Sequence, residues 1–355
     1  MVNQILYGFY NLKDLGGQRV TTLGVDTVNT AIDATLAEHN RQLAALNGLF
    51  VENITAFQKR YKQRGAKRLQ PLDNAGRARP TKTAGYYDLG FPIISGGDAF
   101  GADYVTRVKM TVQELQDELA SSLVADKRWN RDHLLGALFA STSYSFVDPL
   151  NGTLTVQPLA NGDSVNYLIE NGTDAGTTDT HQLAQAAAIA DGANPFPTIY
   201  TELTEHPENA GEVVAFVPTN LIAAVEALSL FIAVGDSAVQ VGANTSRLVA
   251  TLNVPVPGVL RGRVSKVWIV EWAALPDNYI IATTTGGSRP IAMREDEEPE
   301  LRGFKRVAER NDHPWYESQF LRRAGYGGYN RVGAVVMRIG NASYAVPTNY
   351  TVPMP

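Results

Sequence analysis

The sequence predicts an α+β fold, and two observations carry that prediction. Long stretches of helical periodicity occupy the N-terminal third, while short β-prone runs dominate from Tyr144 onward. Helices and strands then mix without a regular strand–helix–strand repeat, which gives the α+β reading.

The first periodic stretch carries apolar residues at Val25, Val28, Ile32, Leu36, Leu43, Leu46, Phe50, Ile54, Phe57 and Tyr61. The steps are three or four, with polar His39 filling one position, so one face of a helix is expected to need a partner. Unbroken, such a helix would span roughly 55 Å; Gly48 is a candidate break.

The composition then turns basic. Lys59 to Lys82 holds nine Lys or Arg and one acid, Asp73, with Pro71, Gly76 and Pro80 opposing helix. The Gly- and aromatic-rich GYYDLGFPIISGGDAFGADYVTRVKM follows. Some fifty residues with little helical pattern are too many for an ordinary connection, so this segment is expected to dock elsewhere or to serve a function.

A second helix is expected over Thr111 to Thr142. Thr111 and Glu114 have capping-box spacing, and Val112, Leu115, Leu119 and Leu123 mark one face. Its middle, ADKRWNRDH, is polar all round except for Trp129. Beyond it, Asn-Gly pairs at Asn151, Asn161 and Asn171 suggest hairpin turns. HQLAQAAAIADG reads as a helix, EVVAFVP as a buried strand, and NLIAAVEALSLF as a helix directly after it. RLVATLNVPV, KVWIVEWAAL, YIIATTT and VGAVVMRI read as strands.

The bulk numbers bound the function. At 355 residues, with 44% hydrophobic and 19% charged, the chain can bury a sizeable core. A net charge of −5 opposes general attraction to nucleic acid or anionic membrane, though not a local basic patch. The absence of cysteine excludes disulfides, thiolate metal sites and cysteine nucleophiles. The N-terminus lacks a secretory pattern, and the most apolar window, Asn220 to Val234, is shorter than a bilayer needs and contains Glu226, so no membrane partner is expected.

The search for chemistry finds no motif, so no catalytic residue, cofactor or metal ligand is assigned. His39, His133, His181, His206 and His313 do not share metal-binding spacing, and each is expected to be a surface or capping residue. GYGG at Gly325 to Gly328 lacks the strand–loop–helix context of a nucleotide loop and is expected to be a flexible turn. The acidic run Glu295, Asp296, Glu297, Glu298 and Glu300 lacks calcium-loop spacing; a solvated loop or an ionic contact to a basic neighbour remains. The basic segment carrying Arg64, Lys67, Arg68, Arg77, Arg79 and Lys82 could touch phosphates, with Tyr86 and Tyr87 stacking bases, or lie across an acidic subunit. The matching acidic run favours the subunit reading.

The order of these elements resembles the major capsid proteins of tailed bacteriophages, the Hong Kong 97 fold, which encapsulins share. EVVAFVPTNLIAAVEALSLF resembles that family's central strand and helix, and KVWIVEWAALPDNYIIATTT its strand, Leu-Pro turn and strand. RPIAMREDEEPE, followed by RVGAVVMRIGNASYAVP, resembles its closing strands. The match spans roughly residues 105–347. The resemblance implies an N-terminal arm with its amphipathic helix over 1–62 and an extended loop over 63–110. It implies a peripheral domain with a spine helix over 111–211, an axial domain over 212–290, and a return to the peripheral domain with the C-terminal strand over 291–355. It further implies a structural subunit that is not an enzyme. Copies of the chain would self-assemble into pentamers and hexamers of an icosahedral virion capsid, built in the host cytoplasm and enclosing double-stranded DNA contacted non-specifically. Scaffold, portal or decoration proteins would be further partners. The helix's polar middle would face the shell surface or a neighbour. Some relatives weld their shells through Lys–Asn bonds; Lys67, Lys82 and Asn330 are conceivable participants that no motif fixes. Two alternatives stay open: an encapsulin-type compartment, and a nucleic-acid-binding module using residues 59–82.

Overall fold

The computed structural model describes residues 17–62, 71–78, 85–170, 177–234, 256–310 and 315–354. A short helix α1 (Val20–Leu23) leads into α2 (Val25–Asn47), whose Val28, Ile32, Leu36 and Leu43 are buried as the periodicity requires. The helix is shorter than expected. It ends at Gly48, and the chain continues as β1 (Val51–Ile54) and β2 (Gln58–Lys62). The apolar spacing could not reveal this, because Phe50 is buried in either conformation. In the structure its ring lies 4.9 Å from that of Phe216, and Val51 to Ile54 pair in parallel with a strand about 240 residues away.

β3 (Tyr86–Gly90) pairs with β2 as an antiparallel hairpin arm. β4 (Ile94–Asp103) and α3 (Tyr104–Lys109) lead to α4 (Val112–Phe139). Its capping box forms: the Glu114 N–H donates to Thr111 Oγ1 at 3.3 Å, and the Thr111 N–H donates to Glu114 Oε2 at 2.8 Å.

The polar middle of α4 divides: Ala125, Lys127 and Arg128 are exposed, as expected, but its other side turns inward. Ser122, Asp126, Asn130 and His133 are all buried within the chain. Arg322 donates to both carboxylate oxygens of Asp126, one of them at 2.8 Å, and His39 Nε2 lies 2.7 Å from the same carboxylate. Burial alone would raise the Asp126 pKa; His39 and Arg322 outweigh it and hold it down. The Tyr326 hydroxyl donates to Asn130 Oδ1 at 2.6 Å. Arg322 also donates to Asn40 Oδ1, and that Asn40 amide exchanges two hydrogen bonds with the Phe304 backbone. One connected set of polar contacts thus fixes α2 and α4 to the sheet below them.

β5 (Tyr144–Asp148) and β6 (Gly152–Val156) form the hairpin that Asn151-Gly152 predicted, with Gly152 at φ 76°. Asn161-Gly162 instead begins β7 (Asn161–Tyr167), which pairs with β8 (Thr177–Thr180); Asn171 lies outside the described residues. HQLAQAAAIADG is not a helix. Gln182–Gln185 form β9, and the rest is irregular. The helix preference of this Ala- and Gln-rich stretch yields to parallel pairing of β9 with the last strand of the sheet.

α5 (Phe196–Thr204), β10 (Asn209–Val217), α6 (Thr219–Glu226) and β11 (Phe231–Ala233) follow. Next come β12 (Val259–Val264), β13 (Val267–Glu271), β14 (Tyr279–Gly287), β15 (Ile291–Glu295), β16 (Phe304–Arg310), β17 (Trp315–Gly328) and β18 (Ala334–Ile339). Most of RLVATLNVPV lies outside the described residues.

Two sheets organise the molecule. One runs β11-β12-β13-β10-β14-β18-β9, and the other is built around the long β17, which pairs with β4, β15 and β16. The central strands β10, β13, β14 and β18 are buried on both faces, which explains the uninterrupted apolar runs VVAFV and AVVM. Val213, Ala215 and Val217 pack with α5 and α6, while Val214 and Phe216 pack with Leu134, Leu138 and Phe139 of α4. GYGG belongs to β17 and is no turn, because other backbone crosses the strand there: a Cβ on Gly325 would lie 2.2 Å from the Pro92 carbonyl oxygen.

A second buried ion pair ties the sheets to the β5–β6 hairpin. Arg294 donates to Asp148 Oδ2 at 2.6 Å, and the other carboxylate oxygen caps the Leu150 and Asn151 N–H groups. Burial alone would raise the Asp148 pKa, but Arg294 and these two N–H groups hold it down at about 2. A depressed carboxylate contributes stability above its unfolded pKa and loses it as pH falls to the folded value. About 2 kcal/mol should therefore disappear between about pH 4 and pH 2. Acid titration of unfolding free energy should show this slope, and Asp148→Asn should flatten it.

Candidate intersubunit surfaces

The β2–β3 hairpin uses up charge locally. Arg60 faces Asp88 across the ladder and binds it through two hydrogen bonds of 2.7 and 2.8 Å. Lys59 Nζ donates to the Tyr329 hydroxyl at 2.6 Å and lies 4.3 Å from that ring's centre. Tyr61 stacks on Tyr87 at 5.5 Å, so Tyr87 is engaged at the root rather than presented as a stacking platform. Tyr86 is well exposed.

Of the basic residues expected at a subunit contact, Arg64, Lys67, Arg68, Arg79 and Lys82 lie outside the described residues. Arg77 is exposed, in a turn that Asp73 organises by accepting the Ala75 and Arg77 N–H groups. The acidic run divides. Glu295 ends β15, and Asp296 accepts Arg323 at 2.7 Å and the Glu298 N–H at 3.1 Å, which lower its pKa. Arg302 reaches back to the carbonyls of Asp296 and Glu297. The side chains of Glu297, Glu298 and Glu300 remain exposed. Among the described residues the acidic run takes its one side-chain cation from Arg323, at Asp296. Asn330 is buried, its amide engaged with Asn209 and Ser288, which removes it from any exposed crosslinking position.

A surface that sequence reasoning missed lies at β11, the end of the seven-stranded sheet's described strand order. Leu230, Ile232 and Val234 fall at alternate positions and are all more than half exposed. The signal was present as LSLFIAV, but its first four residues were absorbed into the expected helix. No helix among the described residues is long and apolar enough to cross a membrane.

The histidines also depart from expectation. His39, His133, His181 and His206 are buried, and His313 lies outside the described residues. A spacing search looks along the chain, whereas His181 and His206 meet across 25 positions, with their Nε2 atoms 3.1 Å apart.

No family model and no curated protein matches the sequence. Among solved structures, a chain from Mycobacterium phage Patience superposes with a TM-score of 0.68 at 18% identity, covering 95% of this chain and 94% of that one. The fold is of the Hong Kong 97 type. The likeness is wider than residues 105–347, since 95% coverage includes most of the N-terminal arm. At lower scores stand a capsid chain of the native GTA particle (TM-score 0.47, 14% identity, 84% of this chain and 91% of that one) and one of the mature capsid of bacteriophage PhiM1 (0.47, 8%, 83% and 86%).

Proposed function

We propose that the chain is the major capsid subunit of a tailed bacteriophage, building an icosahedral shell from pentamers and hexamers of itself around double-stranded DNA. The observation that supports this reading is the near full-length match in fold to a chain of Mycobacterium phage Patience. The role is then structural rather than enzymatic, and the place is the virion.

On this reading the β2–β3 hairpin reaches over a neighbour, α4 is the spine, and the sheet from β10 to β14 with β11 and β12 meets its copies around the local symmetry axes. The row Leu230, Ile232, Val234 is an apolar edge suited to such a contact with a second copy. The basic stretch carrying Arg77 lies across the exposed Glu297 and Glu298 of the next subunit. These charges set register and suppress wrong pairings more than they add affinity.

Size tests the reading. Expressed alone and viewed by size-exclusion chromatography and negative-stain microscopy, the chain should give closed shells or rings of five and six. A persistent 38.5 kDa monomer at high concentration would sink the proposal. Ile232→Asp should leave the folded subunit intact, because the side chain is already 63% exposed, yet reduce the assembled fraction at least about tenfold. The contents of the shells would separate a genome container from an encapsulin-type compartment.

A further inference from the structure

Asp179 in β8, His181 just after it and His206 just beyond α5 converge on one buried point. His181 Nε2 and His206 Nε2 each lie 2.9 Å from Asp179 Oδ2 and 3.1 Å from one another. His181 is 0% exposed and His206 is 1% exposed.

The opposite ring nitrogens decide what these atoms are. His181 Nδ1 lies 2.9 Å from the Ala334 carbonyl oxygen, and His206 Nδ1 lies 3.0 Å from that of Leu168. A carbonyl can only accept, so each Nδ1 carries the ring proton. In the neutral rings each Nε2 is then a bare lone pair. Two nitrogen lone pairs and a carboxylate oxygen thus face each other at contact distance in a nearly dry site. Such an arrangement is repulsive unless something positive lies among them.

The geometry points to a divalent transition-metal site of zinc type, held by Asp179, His181 and His206. Nδ1–H bonded to a backbone carbonyl is the outer support that ligating histidines have, fixing tautomer and ring orientation. A tetrahedral ion at about 2.0–2.1 Å from each ligand separates them by roughly 3.3 Å, so the three atoms would part by a few tenths of an ångström. Two imidazoles favour zinc-like ions over calcium or magnesium, which take oxygen ligands. Glu205 supplies the fourth side, with Oε1 3.7 Å from His206 Nε2. The Glu202 carboxylate lies against the same wall, within 4.8 Å of those of Asp179 and Glu205.

The ion's role is to staple. The His181 backbone bonds both Ala160 and Val336, and its ring reaches Ala334, so the metal joins the end of α5 to the β9–β18 edge of the sheet. Two short sequence fragments carry the signal, Asp-Thr-His at 179–181 and Glu-Leu-Thr-Glu-His at 202–206, and only the fold joins them.

The test uses the untagged full chain, grown with zinc and dialysed into metal-free buffer. Mass spectrometry should find about one zinc per chain. A strong chelator should lower the melting temperature, and zinc chloride, not magnesium chloride, should restore it. Asp179→Asn offers amide donors to the bare nitrogens, so it should fold yet lose the zinc and the chelator response; His206→Gln should lose both too. Less than roughly a tenth of a zinc per chain, with no thermal shift on adding zinc chloride, would overturn the site in favour of a shared proton. Zinc retained equally in both variants would overturn it as well, by placing the ion elsewhere. Metal content is read independently of assembly, so failure here leaves the shell reading untouched.

Discussion

Asp126→Ala is expected to destabilise the subunit by about 3–5 kcal/mol. The side chain is 1% exposed and is the common acceptor for Arg322, itself 5% exposed, and His39. Truncating it leaves the guanidinium buried without a counter-charge, and the cost lies in that stranded cation rather than in the net worth of the pair. Asp126→Asn keeps the shape and one acceptor and should fall between wild type and alanine. Replacing His39, Asp126 and Arg322 together by apolar residues of matched volume should recover most of the loss, because no charge is then left behind. Urea unfolding of the dissociated subunit measures all three. A loss under about 1 kcal/mol for Asp126→Ala would mean that water reaches the cluster.

That cluster also marks where the sequence stopped being readable. The ends of α4 were legible because capping and apolar spacing are local: Thr111 and Glu114 act over three residues, and Leu134, Leu135 and Leu138 declare their own face. The buried strands of the seven-stranded sheet were legible for a similar reason, since a strand covered on both sides must be apolar throughout. The middle of α4 was not. Asp126 and Asn130 look like solvated helix residues until His39, Arg322 and Tyr326 are brought to them from almost 90 residues before and almost 200 after. The same holds for Asp179, His181 and His206. Local pattern reports which face a residue turns inward, but not which distant polar group meets it there. The C-terminal end of α2 and the strand β9 failed differently, because apolar spacing after Gly48 and Ala-rich composition after His181 are each compatible with helix until a parallel partner strand claims the backbone.

Gly325→Ala should be nearly as damaging, at about 3 kcal/mol, although it adds a single methyl group. That methyl carbon would lie 2.2 Å from the Pro92 oxygen, 2.6 Å from its carbonyl carbon and 3.1 Å from Ile93 Cα. All three are backbone atoms, so no side chain can rotate away. Neither strand can retreat cheaply. β17 is held at this point by pairing with Arg294 on one side, and its Ala324 pairs with Ile94 on the other. Phe91 is fully buried, and its carbonyl accepts Arg294 at 2.9 Å. Gly152→Ala makes the control: nothing lies within 4 Å of the added carbon, and only the positive φ of 76° opposes it, so about 1 kcal/mol is expected. Equal losses in the two variants by chemical denaturation would show that residues 91–93 are not pinned to the strand. Pinning matters because these residues lie between the end of β3 and the start of β4, where the hairpin arm returns to the body. On the proposed shell reading, a shifted root re-aims the β2–β3 hairpin that reaches toward a neighbour. Gly325→Ala should therefore reduce assembly even at temperatures where the subunit stays folded, which a loss of stability alone would not do.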